Sequence, residues 1–421
     1  MKPLKQSQPE HIIGIPSISD TIIITDSRTI KDFKDQVFGG YKLNQASSAL
    51  EKALNEDKLE PALHWSAQLL LSGLTTPLWT KLMTFAIKNI NIYNPRLPEF
   101  LFNKNQEWQR ITDNPKFARD SVLQLRNHQS IRLLIAEMIS ILVLSKKRKL
   151  NQPPRIKQNE FLIDTFRGKL EAKDNRLIDG ITQDGDPSEI KIAINEMAHH
   201  IYNSNAPKSL YWMNWIIEWE KINSKKYGKY ECAARTPPGI DAKFHRDVVW
   251  LIWAVINKIR QLKFSISNGE INNQITAIYQ LYLNKFTPAS RARKQGLIIW
   301  AILYIADSGV IDLAIPLIDR PPLLFQSLLG FDKIIMALKS QEVHRASATA
   351  ASMLNVVVEN NYMVPENHSQ LEASRAAQLQ EQARMREDQA LKKQQGRNGN
   401  LNQESMKKLN DIYKLDRMMF S

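Results

Sequence analysis

One cysteine in 421 residues, Cys232, leaves the chain without an intramolecular disulfide and without a cysteine-built zinc site. That usage suits a reducing compartment. Glycine is scarce, at 15 residues, and neither G-x-x-x-x-G-K-[ST] nor G-x-G-x-x-G occurs to cradle a phosphate. H-E-x-x-H is absent as well. Strand-forming runs are nearly missing: Thr21-Ile22-Ile23-Ile24-Thr25 stands alone, as an extended piece lying along a helical body or pairing with another chain's edge. Long apolar runs are missing too. Gly296 to Ala306 spans 11 residues and Ile131 to Leu144 is interrupted by Glu137, against the ~18–20 residues that a bilayer demands. The opening MKPLKQSQPE has no apolar core of a signal peptide. The expectation is a soluble, intracellular, all-α protein with no cofactor and no membrane span.

What is present is positive charge. The formal net charge is +14 and the sequence pI about 9.6, which favours a polyanionic partner such as nucleic acid, an anionic surface or an acidic protein. Apolar residues make up 43% of the chain, enough for real cores, and the length accommodates two or three domains.

The chain is organised around Pro61 to Leu97, which reads as two buried helices with a tight joint. Leu63, Ala67, Leu70 and Leu71 share one face, Gly73 stops the helix, Thr76-Pro77 restarts one, and Asn94-Pro95 ends it. A helix precedes it, with Leu43, Ala46, Leu50, Ala53 and Leu54 spaced 0, 3, 7, 10, 11. Ile190, Ala193, Met197, His200 and Ile201 repeat that spacing at an offset of 147 residues, and Leu210-Tyr211-Trp212 repeats Leu63-His64-Trp65. Two similar helical halves follow, an internal duplication: 43–150 and 190–365, the second with appended helices. The arm 1–42 precedes them, a linker or surface excursion 151–189 separates them, and a charged tail, 366–421, follows. Residues 99–120 read as a short helix with loops, Gln124 to Leu144 as one long helix, and 311–358 as short helices broken at Pro316 and Pro321-Pro322. The tail holds two helix-prone segments, Leu371 to Gln395 and Met406 to Phe420.

Ala62-Leu63-His64-Trp65, Leu69-Leu70, Gly73, Pro77-Leu78 and Asn94-Pro95-Arg96 together resemble the helical C-terminal domain of the MgsA/WRNIP-type clamp-loader-related ATPases. The likeness covers 61–97 only, and the chain lacks the ATPase module of such proteins. The same stretch, with Phe38-Gly39-Gly40-Tyr41 before it and Phe286-Thr287-Pro288-Ala289-Ser290 after it, is similar to a helical protein family of large eukaryotic (nucleocytoplasmic) DNA viruses. These resemblances imply a non-enzymatic scaffold in viral DNA replication or genome handling, binding nucleic acid or a replication protein. The alternative is a virion structural or assembly protein whose arm and tail link subunits, with capsid proteins as partners and oligomers formed.

Two basic clusters are candidates for that face. Lys146, Lys147, Arg148 and Lys149 form either a phosphate-binding run or a cationic turn complementing a helix C-terminus. Arg291, Arg293 and Lys294 stand at a helix start, where the dipole disfavours cations and a bound anion would relieve the cost. Among the tryptophans, Trp65, Trp79, Trp212, Trp215 and Trp250 are expected in the core. Trp212, Trp215 and Trp219 make one helical stripe, either a stacking platform or an aromatic face packed against the helix of Trp250 and Trp253. His199-His200 point about 100° apart on a helix and read as core or surface histidines. Asp184-Gly185-Asp186 reads as a turn, and Cys232 as structural.

Overall fold

The computed structural model describes residues 22–150, 152–264 and 269–361. The chain is all-α. Its helices run, in order, α1 Leu43–Asn55, α2 Leu59–Leu71, α3 Thr75–Asn89, α4 Leu97–Thr112, α5 Gln129–Leu144, α6 Ile163–Arg167, α7 Ser188–Tyr202, α8 Ala206–Tyr227, α9 Val249–Lys263, α10 Gly269–Leu283, α11 Arg291–Ala306 and α12 Pro321–Asn361. Among the described residues there is no strand, only one antiparallel bridge between Gln36 and Lys42. Residues 1–21 of the arm and both helix-prone tail segments lie outside the described residues.

The α1–α2 and α7–α8 hairpins share their turn geometry at the 147-residue offset. Asp57 and Ser204 both sit in the left-handed region at φ 57°. The next amide of each turn returns to the helix just finished, Lys58 N–H to Ala53 O and Asn205 N–H to His200 O. The apolar period explains the packing: Ala46, Leu50, Ala53 and Leu54 are buried, as are Ile190, Ala193, Met197, His200 and Ile201. Beyond the hairpins the offset does not hold. α8 has 22 residues against 13 in α2. α4 and α10 lie side by side and parallel: Glu99 N–H bonds Gln274 Oε1, and Gln109 bonds Asn284 ten residues on.

Several elements differ from expectation. Leu97 to Thr112 is one 16-residue helix, because Trp108 stacks on Trp79 with centroids 4.4 Å apart and Asn105 accepts from the Trp79 indole. Tertiary packing, not periodicity, holds this polar segment. The long helix expected from Gln124 breaks at His128, which is extended, into a 3-10 turn and α5. Pro321-Pro322 opens a helix rather than breaking one, as proline may in a first turn. The resulting α12 is 41 residues long, and compactness divides the chain within it, after His344. Its stretch Pro321–Glu342 is, among the described residues, the one helix long and apolar enough to cross a membrane, with mean hydropathy 1.2. Leu324, Ser327, Phe331, Ile335 and Leu338 form a buried stripe on it, and Asp332 pairs with the buried Arg132 of α5 at 2.8 Å. One docked face and a buried ion pair describe an amphipathic helix on the body.

The arm also docks. Ile22 and Ile24 are buried, Ile24 exchanges hydrogen bonds with the Asn127 side chain, and Phe33, Val37 and Phe38 join the core. Thr21 itself is not described, but the run after it lies extended on its own body. Residues 152–187 cover α8, where Phe161 and Phe166 pack on Trp212, Trp215 and Trp219. The tryptophan stripe therefore faces this excursion. Trp250 and Trp253 belong to a separate cluster with Tyr282 and Phe286.

Trp79, Trp212, Trp215 and Trp250 are buried as expected, but Trp65 is only half-buried. Phe166 closes over Trp212, whereas Trp65 is covered by Tyr41, itself 47% exposed. Trp212→Ala is expected to cost ~3–5 kcal/mol and Trp65→Ala about half that or less, measured by urea unfolding. Equal losses would show that Tyr41 shields its tryptophan as fully as the excursion shields the other.

Candidate nucleic-acid interface

The two basic clusters come from segments about 145 residues apart and meet along α3. α11 crosses the C-terminal end of α3 so closely that a Cβ on Gly296 would lie 2.7 Å from Ile87 Cγ2 and 3.6 Å from Leu150 Cδ2. Glycine is what that approach admits. After α5 ends at Leu144, the basic run is extended, not a helical turn. Arg148 N–H donates to Asn89 O at 2.6 Å and Leu150 N–H to Lys88 O at 2.7 Å, and the Asn91 side chain donates to Arg148 O. Asn91, at φ 42°, turns the chain so that this clasp closes. Residues 146–150 thus form a strap along 88–91.

Not all of the candidate cations are available. Lys147 is held by the carboxylate of Asp57 and the carbonyl of Val143. Arg148 lies over the ring of Tyr93, 4.8 Å from its centroid. Arg291 reaches inward to Glu220 at 2.6 Å and Asp247 at 3.0 Å. Lys294 donates to the carbonyls of Tyr282 and Asn284 at the C-terminal end of α10. The anion that the dipole argument called for is therefore internal: two carboxylates for Arg291, and the negative end of α10 for Lys294. The basic residues Arg126 and Arg132, before and in α5, are also structural. Arg126 donates to Leu71 O and Asp26 O, and Arg132 pairs with Asp332.

Lys146, Lys149 and Arg293 remain exposed, and the fold adds Lys88 to them. None of these four has a carboxylate partner among the described residues. Lys88 and Arg293 line one groove of about 650 Å³ with Thr76, Thr80 and Thr84, which recur every four residues along one face of α3. Lys146 and Arg148 line a second cleft of about 580 Å³, which Asp312 and Asp319 also line. Lys149 sits on the strap. Lys88 was missed in the sequence because it is a single lysine in an otherwise apolar helix turn; only its pairing with Leu150 places it beside the run. The remaining excess of charge is spread over the body. Of the net +14, the described residues carry +12, since the undescribed ends hold 12 Lys and Arg against 10 Asp and Glu.

Other candidates are structural. Asp186 is held by Arg235 at 2.7 Å and by the amides of Gln183 and Ala233, which keep its carboxyl below the usual range against the opposing effect of burial. Cys232 is buried, and burial pushes its thiol up to about 12, out of the nucleophilic range.

Arg291→Ala should cost about 1–3 kcal/mol, because the half-buried carboxylates of Glu220 and Asp247 would be left without their cation; Arg293→Ala should change stability by less than about 0.5 kcal/mol. Chemical denaturation distinguishes them, and a neutral Arg291→Ala would mean the pair relaxes into solvent. Burial lowers the Lys294 ammonium to about 8. Between pH 8 and 10.5 the unfolded chain then binds more protons at this lysine than the folded one, so its contribution to stability rises with pH across that window. Lys294→Met should flatten that rise by about 1–2 kcal/mol in unfolding measured from pH 7.5 to 10. Set against family models, curated proteins and solved structures, the chain matches none.

Proposed function

We propose that the protein is a non-enzymatic helical scaffold that binds nucleic acid through the strap and the α3 groove. The observation that carries this reading is the set Arg293, Lys88, Lys149 and Lys146: four exposed cations with no carboxylate partner among the described residues, from three segments that meet where Leu150 packs beside Lys88 and Gly296. Exposed, unpaired cations contact phosphates without first breaking an ion pair, and the exposed hydroxyls of Thr76 and Thr80 add neutral donors to the same oxygens. This set offers no array of base-reading side chains, so the binding is directed at the backbone and indifferent to sequence. The viral setting, in DNA replication or genome handling, rests on the resemblance of 61–97 and its flanking motifs. Residues 22–42 dock on their own body, which weighs against their linking subunits of a virion.

The test is fluorescence anisotropy with labelled duplexes of two unrelated sequences across a salt series. Lys88→Ala/Lys146→Ala/Lys149→Ala/Arg293→Ala should weaken binding equally for both duplexes and make the slope of log K against log salt shallower by about 3–4, at ~0.9 per lost contact. Thermal stability should be unchanged. Identical slopes for wild type and variant would remove these four cations from the binding face, and high copy number in purified particles would then support the assembly reading.

A further inference from the structure

The excursion brings a carboxylate to the paired histidines of α7. Glu171 lies beside His199 and His200, and one ligand atom from each residue falls within 4.8 Å of the others. Helical spacing sets adjacent side chains about 100° apart at their roots, yet the imidazole centroids are only 5.1 Å apart. His200 is 1% exposed, and its Nε2 has no hydrogen-bond partner. The nearest carboxylate oxygen, Glu196 Oε2, is 3.6 Å away. Glu196 is buried too, fixed by the amides of Glu171 and Ala172 at 2.9–3.0 Å. A buried imidazole nitrogen left unpaired next to a fastened carboxylate calls for an explanation.

We propose that Glu171, His199 and His200 bind one divalent transition-metal ion, zinc being the expected one. Two imidazole nitrogens and one carboxylate oxygen suit zinc, cobalt, nickel or copper and not calcium or magnesium, which take oxygen sets. An ion on His200 Nε2 pairs the orphaned atom directly. An ion on Nδ1 leaves the proton on Nε2, facing Glu196, which is the carboxylate–histidine arrangement that orients metal-ligating rings. Without metal, the ammonium of Lys208 occupies the Glu171 carboxylate. Lys208 is thus a built-in competitor, and the ion would replace it while clipping the excursion to α7.

The test is calorimetric titration of the full-length, tag-free protein with zinc chloride, and with cobalt chloride followed by visible absorption. One equivalent should bind. Glu171→Gln, at an exposed position, and His199→Ala, at a half-buried one, should each weaken binding about tenfold or more, the scale on which even supporting partners of metal ligands act. Lys208→Met should tighten it, because the competing cation is gone. Unchanged helicity by circular dichroism establishes that the variants fold. Absence of zinc binding by the wild type, or wild-type affinity in either ligand variant, would overturn the site.

Discussion

From Leu297 to Ala306, α11 has no face open to solvent. Ten consecutive buried residues make this helix the piece around which the second half packs, with α7, α8, α9 and α10 on it and α3 reaching it from the first half. A helix so enclosed must still satisfy its polar beginning. Arg291 and Lys294 do so from within, by pairing with Glu220 and Asp247 and by closing the end of α10. The hydrophobic enclosure and the inward cations are one constraint: burying the apolar length fixes where the first turn must lie, and removing the cation afterwards strands two carboxylates.

That constraint also decides the surface. With Arg291 and Lys294 consumed, Arg293 alone of that cluster is exposed, and it lines the same groove as Lys88. The close approach at Gly296 presses Leu150 inward, which holds the strap extended and leaves Lys146 and Lys149 in solvent. The basic set is therefore a by-product of packing at the α3–α11 crossing. Its exposed cations suit the phosphate contacts proposed for it, in which charge and reach matter more than fixed geometry.

The helical periods of α1, α2, α7, α8, α9 and α11 could be read from the chain because burial on one side leaves a pattern in composition. The left-handed turns at Asp57 and Ser204 came from the structure alone. α4 could not be read, because a polar helix is held by one stacked tryptophan pair and a parallel neighbour, neither of which is local. Trp65 and Trp212 occupy matching positions in matching patterns yet differ in exposure, since what covers each comes from elsewhere: Tyr41 in one case, Phe166 in the other.

The sequence by itself determined the class, the hairpins, the absence of a phosphate-binding loop and the presence of two basic clusters, all of which depend on residue type and spacing along one element. Only the tertiary structure decided which cations are free. A lysine's availability depends on whether a carboxylate or a helix end lies within reach, and Asp57, Glu220, Asp247 and the carbonyls of α10 reach their partners across 10 to 90 residues of chain. The meeting of Glu171 with His199 and His200 has the same origin. Helical geometry places the two histidines, but only the path of the excursion over α7 and α8 supplies the carboxylate.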